Sequence, residues 1–259
     1  MVVPVVADAD TLFGATTRGL LIHLDYQGLI RLHWSPLILH EMSSALGACR
    51  TWGVEAKFGP SEDSFCRICR PIAVAMGQKA GEKWTAAAKL QPTFPKSDRL
   101  LVRTGRKPDQ AAATKHEALM RAALPQAEVP TADVQAEYQA VAWAMRSAKD
   151  THVAACAHVL QARHYYQNTA VVSLVTKNIR DFGVKKLATL GIDVQRPDGF
   201  LRKLINENET GVASAFAALR ATLRSAPTAE RLLDRLAADS QIETAVALLA
   251  LRQVGTAAL

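Results

Sequence analysis

Cysteine is scarce in this chain: of 259 residues only Cys49, Cys66, Cys69 and Cys156 carry a thiol. Cys66-Arg-Ile-Cys69 has the spacing of half a zinc knuckle, but no second Cys-x-x-Cys and no histidine pair accompanies it. A redox Cys-x-x-Cys usually follows a strand, whereas Ser61-Glu-Asp-Ser ahead of this one reads as a helix start. Reduced thiols on a helix are therefore expected. Long apolar runs are also missing. No uncharged stretch reaches the roughly 18 residues a membrane-spanning helix needs. The opening Met-Val-Val-Pro-Val-Val lacks the basic start of a signal peptide, and Asp8 and Asp10 interrupt it early, so a cytoplasmic location is expected. Wholesale disorder is excluded by a composition that is 49% apolar. A chain this long can bury a sizeable core as one large domain, or one with an appendage.

Charge is distributed unevenly. The net charge is +7, yet residues 1–49 hold two basic and four acidic side chains. Between Lys89 and Arg121, eight basic residues face only Asp98, Asp109 and Glu117. A positive segment beside an acidic N-terminal portion suits attraction to phosphates, or simply makes a solvated surface.

Hydrophobic patterning supplies the elements. Val2 to Ala7 reads as a buried strand that delivers Asp8 at its C-terminal end. Leu20, Leu21 and Leu24 mark a helix over 15–27 that stops near Gly28, and Ile30 to Trp34 alternates as a second strand. Ser35-Pro36 is an N-cap followed by proline at the first helical position, and Glu41 lies in the second turn of that helix. Residues 61–76 and 81–90 read as helices, and 91–108 as a loop rich in proline and basic residues. Asp109 caps a helix to about Ala123. Val134, Tyr138, Val141 and Met145 share a helical face behind a Thr131 cap. Asp150 is placed to cap a helix of small residues. The β-branched run Ala170 to Val175 reads as a strand buried on both faces, as in parallel sheets. It leads to a polar turn and a further acid, Asp181. After Leu201 three helical stripes follow: Val212/Phe216/Leu219/Leu223, Leu232/Leu233/Leu236 and Ile242/Val246/Leu249.

Several of these segments resemble the motifs of PIN-domain ribonucleases, the fold of VapC-type toxins. Asp150-Thr-His-Val-Ala-Ala and Thr176-Lys-Asn-Ile-Arg-Asp-Phe182 resemble that family's third and fourth motifs. The apolar strand ending at Asp8 and the Ser35-Pro36…Glu41 segment resemble its first and second. Leu124-Pro-Gln-Ala-Glu-Val129 and Leu190-Gly-Ile-Asp-Val…Pro197-Asp-Gly-Phe-Leu201 match further parts of the pattern. Asp10 stands where the family usually has Asn, as an extra ligand or as a polar substitute, and residues 50–123 fit the pattern poorly. Asp8-Ala-Asp10 also resembles the nucleophile loop of haloacid-dehalogenase-type phosphatases. The Gly-Thr pair and the downstream paired acids of that family are absent.

The resemblance implies an α/β fold: a PIN-like parallel-sheet sandwich flanked by helices. The nuclease domain would span 1–199, with a basic helical insertion over 50–123, and a C-terminal helical extension would cover 200–259. It implies a catalytic set of Asp8, Glu41, Asp150 and Asp181, with Asp8, Asp150 and Asp181 as ligands of Mg²⁺ or Mn²⁺. Clustered carboxylates repel and raise one another's pKa values, and hard oxygen donors select such a cation. Glu41 would hold a second ion or orient the attacking water. Thr176 and Asn178 would steady the site or a phosphate, and either Asn178 or Asp181 would complete the metal site. Arg99, Arg103, Arg106 and Lys107 would contact RNA phosphates. The expected activity is endoribonuclease cleavage of single-stranded or structured RNA, by the toxin of a toxin–antitoxin pair. The implied partners are RNA, a cognate antitoxin protein and a second copy in a homodimer, with no membrane. The alternative is a non-catalytic RNA- or protein-binding module on the same scaffold.

Overall fold

The computed structural model describes residues 2–51, 110–163, 165–166 and 171–253. The expectations for 52–109, among them the Cys66/Cys69 motif, the helices over 61–76 and 81–90 and the Asp109 cap, lie outside the described residues. Four strands form one all-parallel sheet: β1 (Val3–Ala7), β2 (Ile30–His33), β3 (Val172–Val175) and β4 (Ile192–Gln195), in the order β2-β1-β3-β4. The two central strands carry the valine runs, and Val5, Val6, Ala7, Leu174 and Val175 are fully buried. Pro4 is tolerated in a central strand because pairing with β3 begins only at Val5, opposite Ser173. At the edges, polar residues alternate outward, as Arg31 does on β2.

Chain direction decides where the strand ends open. From β1 the chain passes through α1 (Ala9–Phe13) and α2 (Ala15–Tyr26) to β2 on one side. Gly28, at φ 69°, then makes the left-handed turn into β2. From β2 it runs through α3 (Pro36–Thr51), α4 (Gln110–Ala123), α5 (Thr131–Ala136), α6 (Tyr138–Ala142) and α7 (Thr151–Ala162) to β3, on the other side of β1. Because crossovers between parallel strands are right-handed as a rule, connections that run in opposite directions put their helices on opposite faces. They also create a switch point between β1 and β3, where open α/β sheets hold their sites. α7 packs on β1, β3 and β4, and its small side chains, from Thr151 to Ala157, are all buried.

Two caps differ from the sequence expectation. Asp150 occupies the N-cap position of α7 but makes no capping bond there. A 3-10 turn, Ala148–Asp150, runs directly into the helix, so the true entry is Ser147, whose Oγ accepts from Lys149 N at 3.3 Å. Thr131 is the first residue of α5 rather than its cap, and the helix breaks at Glu137 before α6. The cap of α3 is as expected: Ser35 Oγ accepts from Ile38 N at 3.3 Å.

The chain continues through α8 (Val184–Ala188), β4 and α9 (Pro197–Glu207) into α10 (Glu209–Thr222), α11 (Ala229–Ala238) and α12 (Ile242–Gln253). These last helices join the core through two borrowed caps. α2 begins at Gly14 without a side-chain cap of its own. Asp239, just after α11, supplies one: its Oδ2 accepts from Thr16 N and Thr17 N, both at 2.9 Å. A Cβ on Gly14 would lie 2.8 Å from the Asp239 carboxylate, so only glycine leaves the carboxylate room. Conversely, Asp198 of α9 caps α12, accepting from Glu243 N at 3.0 Å and Thr244 N at 2.8 Å. This fixes the rotation of α12 differently from the expected stripe. Its buried face is Thr244, Ala245, Leu248 and Leu251, and Val246 is exposed.

Candidate active site

At the C-terminal ends of β1 and β3 the chain places Asp8 and Thr176 side by side. Asp8 N donates to Val175 O at 3.0 Å, continuing the β1–β3 ladder one step. Thr176 Oγ1 donates to Asp8 Oδ2 at 2.8 Å, across 168 residues of sequence. Asp8 Oδ1 accepts from Ala9 N at 2.7 Å, so the carboxylate is held on both oxygens. Arg18 braces α1, which Asp8 caps, by donating to Leu12 O at 2.6 Å.

Asp10 closes the same corner. Its Oδ1 accepts from Lys177 N at 3.1 Å, tying the turn after β3 to the helix after β1. The sequence leaves Asp10 either as an extra ligand or as a polar substitute for Asn. The structure makes it a second enclosed carboxylate beside the first, and its spacing of two from Asp8 was the available signal.

Asn178 carries the cleft outward. Its backbone N donates to Thr176 Oγ1 at 3.0 Å, and its side-chain Nδ2 donates to Asp181 Oδ2 and, at 3.4 Å, to Asp150 Oδ2. One amide therefore holds two acids that come from different elements. Glu41, on the second turn of α3, lies at the rim. Its Oε2 is 3.4 Å from His152 Nε2, at an angle that makes no hydrogen bond and leaves that buried nitrogen without a partner. His152 Nδ1 meets Lys149 O at 3.1 Å, so Nδ1 carries the proton.

The electrostatics follow from this crowding. Burial, then the charges of Asp10 and Asp150, push the Asp8 carboxyl well above the ordinary range, against the pull of the Thr176 hydrogen bond. Burial likewise raises Asp10, partly offset by the Lys177 amide. Asp150 is pushed up to about 6, first by burial, then by its contact with Asp181 and their mutual repulsion, with a smaller contribution from Glu41. Acids raised together in this way gain from a nearby positive charge.

Asp8, Asp150, Asp181, Thr176 and Asn178 thus form one linked group, with Glu41 at its edge. Arg99, Arg103, Arg106 and Lys107 lie outside the described residues. Among the described residues, no three carboxylate, imidazole or thiol groups close on one point as an all-protein cage. The donors on offer are carboxylate oxygens, with Asp8 and Asp150 buried and raised in pKa. That set fits a hard cation that takes one or two carboxylates and keeps its waters, as Mg²⁺ does, and suits zinc poorly. Cys156, the thiol on α7, is buried, unpaired and pushed above its ordinary pKa by that burial, so it contributes nothing to the cleft. No helix among the described residues is long and apolar enough to cross a membrane. Comparison with protein-family models, curated proteins and solved structures finds no significant match for the chain.

Proposed function

We propose that this chain is a Mg²⁺- or Mn²⁺-dependent endoribonuclease of the PIN type, acting as the toxin of a toxin–antitoxin pair. One observation carries the reading. Asp8, Asp150 and Asp181, from three distant segments that resemble the family's motifs, are linked through Thr176 and Asn178 beside the β1–β3 switch point of a parallel sheet, with Glu41 at the edge. The sheet order and the placement of Asp8 directly after β1 support it further.

In this reading Asp8, Asp150 and Asp181 hold the cation, which when bound acidifies water and offsets charge on the pentavalent transition state. Thr176 fixes one oxygen of Asp8, leaving the carboxylate a single orientation. Asn178 keeps Asp150 and Asp181 turned toward each other despite their repulsion. Glu41, partly exposed and free of strong hydrogen bonds, takes the proton from attacking water as the water oxygen bonds to phosphorus. The ester oxygen then leaves and takes up a proton from solvent. Asp10 braces the Lys177 turn. RNA is the substrate, Arg99, Arg103, Arg106 and Lys107 contact its phosphates, and a homodimer and a cognate antitoxin are the protein partners.

The test is cleavage of single-stranded RNA with Mn²⁺. Wild type should cut it, Asp8→Asn, Asp150→Asn and Asp181→Asn should each abolish cutting, and Glu41→Gln should come close. Retained folding by circular dichroism accompanies each loss. Binding of RNA without cleavage by wild type, under any divalent ion, would favour the non-catalytic module instead. An active Asp181→Asn beside a dead Asn178→Ala would move the last ligand to Asn178.

A further inference from the structure

Beside Asp181 the surface opens into a cleft of about 450 Å³, whose walls include Met145, Arg146, Gly183, Lys185 and Lys186. Two extended segments build it. Met145 and Phe182 form an antiparallel bridge, Gly183 N donates to Ala144 O at 2.9 Å, and Arg146 N donates to Asp181 O at 2.9 Å. A Cβ on Gly183 would lie 2.3 Å from Ala144 O, so glycine is what lets the segments close. Each wall is continuous with a site acid. Asp150 follows Arg146 after one short turn, and Asp181 precedes Gly183 by two residues, at most about 7 Å of chain.

The chemistry of this cleft is unlike that of the acid corner. At its edge, next in sequence to the lining residue Ala144, Trp143 leaves 51% of its surface in solvent. Its indole N–H is already spent on Ala140 O at 2.9 Å, so the ring has only its π surface to offer a ligand. Lys186 pins it: Nζ donates to Trp143 O at 2.9 Å and lies 5.6 Å from the ring centroid, within cation–π range. Arg146, Arg180 and Lys185 are exposed, and among the described residues no carboxylate pairs with them. A fixed, exposed aromatic beside unpaired cations is the platform-and-rail arrangement that binds single-stranded nucleic acid without reading its sequence.

We infer that this cleft is the subsite for single-stranded RNA flanking the scissile bond. A base stacks on Trp143, and neighbouring phosphates lie on Arg146 and Lys185. The inference rests on the nuclease reading for its substrate class and deepens it. It places RNA contacts on the described core, independently of the basic segment at Arg99 to Lys107. Duplex RNA, whose bases are already stacked, is a poor occupant.

The experiment is anisotropy of a labelled single-stranded RNA decamer in EDTA, so that binding is read without cleavage. Trp143→Ala should weaken binding about 5- to 150-fold with an unchanged salt slope, and Trp143→Phe should retain most of the affinity. Arg146→Ala with Lys185→Ala should lower the salt slope by about 1.4, at about 0.7 for each phosphate contact. Melting temperatures close to wild type establish that the variants fold. Affinity of Trp143→Ala within twofold of wild type overturns the subsite, even where wild type cleaves RNA. RNA bound through Trp143 but never cleaved with Mn²⁺ leaves the subsite standing and removes the nuclease. Displacement of an acidic peptide by these substitutions, with RNA affinity unchanged, overturns the proposal and gives the cleft to a protein partner.

Discussion

Replacing Asp239 by Ala tests how the C-terminal helices support the acid corner. The carboxylate accepts from two backbone amides of α2, both at 2.9 Å, and from Thr17 Oγ1 at 3.3 Å. Losing an N-cap costs about 0.5–2 kcal/mol, and leaving buried donors unpaired costs about 1–3. Against this, burial raises the Asp239 pKa, so removing the charge recovers part of its desolvation cost. A net loss of about 2 kcal/mol results, or roughly 4–8 °C in a chain of this size. Asp239→Asn, which keeps one carbonyl oxygen, should cost less than half as much. The specific signature is coupling to Gly14, whose added Cβ would meet the Asp239 carboxylate at 2.8 Å. Gly14→Ala should destabilise the wild type but be nearly neutral in Asp239→Ala. A coupling of about 1 kcal/mol or more by urea unfolding is expected. Additive effects, or an Asp239→Ala loss below about 0.5 kcal/mol, would refute the borrowed cap. Any effect on the site follows the same path, because the helix that Asp239 caps carries Arg18, which braces the α1 carbonyls behind Asp8.

Two further outcomes follow from charge. Asp150 titrates near 6 in the folded chain, above the ordinary value of about 4. Its contribution to stability is therefore complete below about pH 4 and is lost as pH rises through about 6. In EDTA, Asp150→Asn should then melt higher than wild type at pH 8 and level with it at pH 4; a difference of the opposite sign at pH 8 would mean the acid is not destabilised by its neighbours. Changing Arg99, Arg103, Arg106 and Lys107 together to Ala should weaken RNA binding and flatten its salt dependence by about 0.7 per lost phosphate contact, and an unchanged slope would assign the segment to packing or to an acidic antitoxin tail.

Short-range chemistry is what the sequence displayed well. The valine runs of β1 and β3 read as buried strands because both faces are covered, and the Ser35-Pro36 cap and the Gly28 stop are local signals. Asp8, Asp150 and Asp181 stood out through motif resemblance, and the sheet brings them together because β1 and β3 are neighbours. The misplaced features depend on contacts that no local window contains. Asp150 was expected as a cap, but the preceding 3-10 turn passes that task to Ser147 and leaves the carboxylate for the cleft. The apolar stripe of α12 was set one face off, because Asp198, 46 residues away from Thr244, decides its rotation. Asp239 showed no signal at all, since its partners lie 222 and 223 residues earlier. Trp143 was overlooked because it lies between Val141 and Met145, which pack in or against the core, and only its exposure distinguishes it.

In the proposed reading, Asp8 and Asp150 share one cation site. That sharing is tested most directly by thermal unfolding with and without Mn²⁺. At a hundredfold excess over the dissociation constant, Mn²⁺ should stabilise wild type by about 2.7 kcal/mol, roughly 5–10 °C, through preferential binding to the folded state. The Asp8→Asn/Asp150→Asn protein should shift by less than about 1 °C. An equal shift in both proteins, or none in wild type at millimolar Mn²⁺, would contradict a shared metal site.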